Sequence, residues 1–302
     1  MVQMKRALPI FGLVLAVTGF NTLAQVSVEV ELDQRQFLPS ESLPVAVRLT
    51  NRSGQSLHLG DDPNWLTFSV TADDNFVVTK IADVPVLGEF DVGSSQMATK
   101  RVDLAPGFRL SRFGGYRVVA RVRIKQWGTE FVSPPQSFDI IDGAKLWTQT
   151  FGLPAPAGST NALPEVRRYT LEEANYLRSQ LRMYVQVSDE SERQIFKVSA
   201  IGPMVSFSQP EARLDPRSRL HVIYQSGARV FTYSIVNPDG DILWQENYDY
   251  LNSRPRLQVG DDGNVTVVGG VRRLKPTDVP VVQPPEALPA PPAPPTPPDH
   301  KS

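Results

Sequence analysis

Val-Ser-Val-Glu-Val-Glu-Leu, residues 26–32, alternates apolar and polar side chains without an exception. In an extended chain successive side chains point to opposite faces, so Val26, Val28, Val30 and Leu32 share one face and Ser27, Glu29 and Glu31 the other. The segment therefore reads as a half-buried β-strand. The alternation returns at Val45, Val47 and Leu49, after turn signals at Pro39 and Pro44 and before the break Asn51-Arg52-Ser53-Gly54. It is longest at Tyr116, Val118, Ala120, Val122 and Ile124, with Arg117, Arg121 and Arg123 on the opposite face. Shorter runs at 57–59, 66–70, 76–79, 131–132 and 137–141 complete the set. About seven short strands with turns between them, across residues 25–142, are the pattern of an antiparallel β-sandwich.

The stretches LPVAVRLTNRSGQSLHL (43–59) and GGYRVVARVRI (114–124) resemble strands of bacterial immunoglobulin-like modules, a likeness shared by macroglobulin-like, protease-inhibitor-like and adhesive modules. The resemblance implies a sandwich and, by itself, no activity. Eight basic residues between Lys100 and Lys125, including Arg101, Arg109, Arg112, Arg117 and Arg121, face one acid, Asp103. They read either as an anion-binding strip or as paired surface, with Glu29 and Glu31 as cross-strand partners if the first strand lies beside the last ones. Trp65 and Trp127 are expected in the core, the alternative being a stacking platform for sugar.

Residues 143–164 have no period and are rich in Pro, Gly, Ala and Ser, so a linker is expected there, with Trp147 and Phe151 docking it onto one of the domains. Beyond it, 181–187 and 194–200 flank a polar turn as a hairpin, and strands follow at 220–225, 230–236 and 242–248. QPEARLDPRSRLHVIYQ (209–225) aligns without a gap to RPRLQVGDDGNVTVVGG (254–270), an offset of 45 residues. A period of this length built of short strands and an Asp/Gly turn is similar to β-propeller blades. Residues 165–274 hold about two and a half such units, whereas a closed propeller typically has four or more blades. The expected fold is thus all-β: an immunoglobulin-like sandwich, then a small sandwich or open sheet of blade-like units. Assembly of blades from several chains is the alternative.

The first 24 residues read as a secretory signal peptide, with Lys5 and Arg6, an uncharged stretch from Ala7 to Phe20, and Thr22-Leu23-Ala24 at the cleavage point. No later segment approaches the uncharged length of a spanning helix, so no membrane insertion is expected after cleavage. The chain has no cysteine, which excludes disulfides and a lipoprotein anchor and favours a bacterial periplasmic or extracellular location. With 31 basic against 32 acidic residues, nothing marks a nucleic-acid binder. Residues 275–302 hold 11 of the 27 prolines and read as a disordered tail, extended where it is proline-dense.

Catalytic chemistry has few residues to draw on. Only His58 and His221 fall in the folded part, no Gly-x-Ser-x-Gly elbow or phosphate-binding glycine loop occurs, and His221 sits inside an apolar strand as a structural histidine would. Asp61-Asp62, Asp73-Asp74 and Asp261-Asp262-Gly263-Asn264 read as turns rather than calcium loops. Glu211, Asp215 and Glu246 are the candidates for a two-carboxylate glycosidase. The expectation is an exported, non-catalytic binding or scaffold protein without a metal or cofactor, meeting an unknown protein or glycan through strand edges and loops. The alternatives are a carbohydrate-binding or carbohydrate-active protein and an immunoglobulin-like protease inhibitor. For the carbohydrate reading the contact residues are Tyr224, Tyr233, Trp244 and Tyr248, in the aromatic-rich stretch of the second domain.

Overall fold

The computed structural model describes residues 26–74, 76–153 and 165–274. The leader at 1–24 and the proline-rich segment at 275–302 lie outside the described residues. Among those described, regular structure is β throughout, save two single 3-10 turns at Ala105–Gly107 and Lys125–Trp127.

The first unit contains β1 (Val26–Leu32), β2 (Gln36–Phe37), β3 (Pro44–Asn51), β4 (Leu57–Leu59), β5 (Leu66–Ala72), β6 (Phe90–Val92), β7 (Met97–Asp103), β8 (Gly114–Ile124), β9 (Thr129–Val132) and β10 (Gln136–Ile140). One sheet has the order β1-β3-β7 and the other β2-β10-β8-β5, with β9 alongside β8 and β4 paired to β6. All these pairs are antiparallel except β2 with β10. The alternation seen in the sequence becomes burial: Val26, Val28 and Val30 from one sheet and Tyr116, Val118, Ala120, Val122 and Ile124 from the other enter one core. Trp65 joins them, its indole N–H donating to the Val86 carbonyl at 2.8 Å.

Three expectations change here. Strand β1 lies beside β3, not beside the last strands, so Glu29 stands opposite Arg48 and Glu31 pairs with Arg48 at 2.7 Å. The run at 76–79 forms no strand: Phe76 and Val77 are exposed, and backbone pairing is seen only at its end, where the Thr79 carbonyl accepts from the Arg109 N–H at 2.9 Å. Part of the expected linker is also structured, since β11 (Ala144–Leu153) runs antiparallel to β12 (Glu165–Tyr176). Strand β11 is an edge with most side chains exposed and a bulge between Lys145 and Trp147, which erases the period that would have announced it. Phe151 does dock, stacking on Tyr169 with ring centres 4.3 Å apart.

The second unit continues with β13 (Gln180–Asp189) and β14 (Ile195–Met204), completing a four-stranded meander β11-β12-β13-β14. A second meander follows from β15 (Glu211–Leu214), β16 (Leu220–Gly227), β17 (Val230–Val236) and β18 (Ile242–Asp249). A hairpin, β19 (Arg256–Val259) with β20 (Val265–Val268), comes next, and the short β21 (Val271–Arg272) returns to the edge of β18. These layers stack in chain order. Leu171, Met183 and Val185 of the first meander pack on Leu220, Val222 and Tyr224 of the second, whose other face sets Ile223, Phe231 and Tyr233 against Leu257 and Val267 of the hairpin.

The 45-residue repeat is an equivalence of register. Glu211 faces Ile223 and Leu214 faces Leu220, while Arg256 faces Val268 and Val259 faces Val265, each pair displaced by the offset. The turns match as well: Asp215 N–H bonds Arg219 O in one copy and Gly260 N–H bonds Asn264 O in the other. Both place a left-handed residue at the same point, Ser218 (φ 58°) and Gly263 (φ 76°).

Candidate functional site

The four aromatic residues singled out in the second unit do not form one surface. Strand alternation sends Tyr224 to the side packed on the first meander, where it is fully buried and its hydroxyl donates to the Ile201 carbonyl. It cannot touch a ligand, which removes it from the expected contact set. The registers Ile235 with Trp244, Tyr233 with Glu246 and Phe231 with Tyr248 put Tyr233, Trp244 and Tyr248 together on the opposite face. Glu246 is their centre, accepting from Tyr248 Oη at 2.6 Å, from Arg272 Nε at 2.6 Å and from the Trp244 side chain. Burial pushes this carboxyl up, but those hydrogen bonds outweigh it and hold it below the usual range for glutamate.

Beside it lies a second closed network. Asp215 Oδ1 accepts from the N–H groups of Arg217 and Arg219, both at 2.9 Å, and Oδ2 accepts from Arg219 Nε at 2.6 Å and His221 Nε2 at 3.3 Å. His221 Nδ1 meets Tyr233 Oη at 2.7 Å. Burial works against the Asp215 charge and the hydrogen bonds prevail, lowering its pKa, while burial lowers that of His221 against the pull of Asp215. Burial likewise lifts the Tyr233 phenol to about 12. The third acid proposed for glycosidase chemistry, Glu211, is tied to the Leu257 N–H at 3.0 Å. Every acid of the trio is thus occupied by the fold. Trp244 alone of the aromatic set reaches solvent substantially, at 47% exposure.

The acidic turns are engaged in the same manner: Asp61 with Lys125, Asp73 with Arg117, Asp74 with Arg112, and Asp262 with Asn264. These pairs also account for part of the basic strip between residues 100 and 125. Arg121 meets Glu130 at 3.5 Å, and Lys100 lies 4.1 Å over the Phe90 ring. Among the described residues Arg101, Arg109 and Arg123 keep no side-chain partner.

Arg109 opens onto a cleft of about 880 Å³ between the two units. Its lining joins apolar side chains, Phe37, Leu43 and Ile140 from the first unit and Ile195 from the second, to polar ones such as Ser40, Ser42 and Ser111. The cleft exists because the units are fastened at one end. Leu38 packs with Ala174, Tyr184 and Val198, Tyr176 Oη accepts from the Arg35 N–H at 3.3 Å, and Arg182 donates to Gln34 Oε1 at 3.1 Å. Both acids in the cleft are already satisfied. Glu41 accepts from the Leu38 N–H at 2.7 Å and Gln34 Nε2 at 2.9 Å, and burial raises its pKa; Asp103 accepts from Ser42 Oγ and the Leu43 and Ala105 N–H groups. Lys197 pairs with Asp241. Arg109 and Arg193, one from each unit, carry the uncommitted charge.

Sequence reading identified Arg109 only as one of eight cations and missed Arg193, which lies outside that run. The signal that could have found Arg193 is weak, a cation on the polar turn before a strand.

No family model matches the chain, and no curated protein matches it. Among solved structures it is similar to the sporulation control protein Spo0M from Bacillus subtilis, at 12% identity and a TM-score of 0.30, covering 67% of this chain and 80% of that one. A likeness of that size carries no argument about fold or function.

Proposed function

We propose that this is an exported, non-catalytic binding or scaffold protein that receives its partner in the cleft between its two units. The observation that carries the reading is the cleft itself, about 880 Å³, with apolar side chains from both units and two uncommitted guanidinium groups. A concave site that joins apolar contact to polar groups able to fix orientation is a usual form of a ligand surface. Export rests on the leader sequence. No helix among the described residues is long and apolar enough to cross a membrane.

The finer fold reading belongs with this proposal. The orders β1-β3-β7 and β2-β10-β8-β5 support an immunoglobulin-like first unit, as does Tyr116, whose hydroxyl donates to the Arg112 carbonyl four residues upstream at 2.8 Å. The two meanders and the hairpin, stacked face to face, support blade-like units in an open array.

A photoreactive amino acid placed at Phe196 in the cleft, and separately at Gln258 on the last hairpin, tests the reading in the producing cell. A discrete cross-linked partner from the first position and none from the second is the expected outcome. Equal labelling from both positions, or none from either, removes the cleft from the account. A second reading, sugar binding, is favoured by the exposed Trp244 indole held by Glu246. Saturable glycan binding lost on Trp244→Ala would favour it over the cleft. The protease-inhibitor reading has only the fold of the first unit behind it.

A further inference from the structure

The chemistry of the cleft narrows what fits it, on the footing that the cleft is the binding site. Strand β14 is the last strand of its sheet, with β13 as its one sheet neighbour. Its other edge carries a single parallel bridge, Glu41 opposite Val198, so this edge already accepts one residue of extended chain from the first unit. The part next to that bridge, Ile195 to Lys197, faces the cleft. Val187 is opposite Lys197 and Ser188 opposite Ile195, so Phe196 is the extra residue of a bulge; it stands 37% exposed, with the Arg167 guanidinium 4.5 Å over one face of its ring. Ile81 of the first unit is 57% exposed on the same cleft. Open edge groups, exposed apolar side chains and unpaired guanidiniums therefore converge in one place.

We infer that the occupant is an extended polypeptide segment of a partner protein, adding to the edge of β14 and carrying acidic residues around an apolar one. Edge groups of a sheet bond a backbone, which a small anion does not offer. Arg109 and Arg193 bond carboxylates as planar forks, and the acids of the cleft do not compete because each is engaged by N–H or hydroxyl donors of its own unit. Ile81, and the part of the Phe196 ring that Arg167 leaves uncovered, supply contact for the apolar side chain.

The test is a displayed library of short linear peptides selected on the full chain, followed by affinity measurement of the enriched sequences. Enrichment of acidic residues flanking an apolar one is expected, with binding weakened about tenfold or more in the Arg109→Glu, Arg193→Glu double variant. Binding should return when the acids of the peptide are exchanged for lysine. Both arginines are exposed, so folding is not at stake, and a circular dichroism spectrum of the variant verifies it. Selection of neutral or basic peptides, affinity indifferent to the double variant, or no enrichment at all overturns the inference. Complete competition by acetate or inorganic phosphate overturns the peptide class as well. In those cases a cross-link from Phe196 would still uphold the cleft as a binding site, so the two failures are told apart.

Discussion

His221 has both ring nitrogens engaged, and the chemistry of its neighbours fixes which one carries the proton. Asp215 is held ionised and can only accept, so Nε2–H donates to it and Nδ1 accepts the Tyr233 hydroxyl. The folded protein thus keeps a neutral imidazole, and charging it would require the Tyr233 hydroxyl to turn its proton away. Because its folded pKa lies below the ordinary 6.5, the unfolded chain takes up a proton that the folded one refuses. Stability contributed here is present above about pH 6.5 and is lost as pH falls from there through the folded value. Glu246 and Asp215 add losses of the same sign further down, below their ordinary 4.5 and 3.8. Glu41 and Glu172, raised chiefly by burial, act in the opposite sense, losing stability as pH rises above 4.5. Denaturant titrations at a series of pH values on the native chain and on His221→Gln separate the contributions. The difference between the two should shrink as pH falls below about 6.5; a difference independent of pH would show that His221 titrates alike in the folded and unfolded chain, and one that shrinks as pH rises would show that the fold keeps it charged.

At the scale of elements, the two repeated hairpins differ at the residue that closes each turn. Ser218 adopts φ 58° where the other copy has Gly263 at 76°. A left-handed backbone is unfavourable for a residue with a Cβ and free of penalty for glycine. Ser218→Gly should therefore raise stability, by up to about 1 kcal/mol, though the serine hydroxyl also donates to the Gly152 carbonyl at 3.1 Å and its loss offsets part of the gain. The reciprocal change is unfavourable on two counts. Gly263→Ala strains the backbone and sets a Cβ 2.9 Å from Pro216 Cγ, because the turn of the third layer rests on the turn of the second. Unfolding midpoints in urea for the two variants should move in opposite directions. A shared direction would mean that the turns are not equivalent.

At the scale of the whole molecule, the stack is closed at both ends by different means. The first meander turns its outer face to the sandwich, where Ala174, Tyr184 and Val198 meet Leu38 and Ile141. The final hairpin turns Leu257 and Val267 inward, so alternation directs Arg256, Gln258 and Thr266 outward together with the exposed Val268. A largely polar outer face lets the stack of sheets end at this hairpin without a further layer. The junction with the sandwich is the joint on which the cleft depends. Leu38 is fully buried there, and Leu38→Asp places an unpaired charge among apolar neighbours. Calorimetry should then resolve two transitions where the native chain gives one, each unit having its own core. A single transition displaced downward would mean that the units cannot fold apart.

Strict alternation at Val26–Leu32 and Tyr116–Ile124 was sufficient to specify strands and their buried faces, because side-chain direction in an extended chain has period two whatever it pairs with. The 45-residue offset likewise contained the register of two hairpins, since turn residues fix local pairing. Partners distant in sequence were beyond that reach. Nothing local tells Glu29 to face Arg48 or gives the aperiodic β11 its place on β12. The cleft is the extreme case: Arg109 and Arg193 are unremarkable surface cations until packing brings two units together and leaves them without acids. Periodicity is a property of the backbone and can be read along the chain. Which charges remain unpaired is a property of the packed whole, decided only when every other pair has formed.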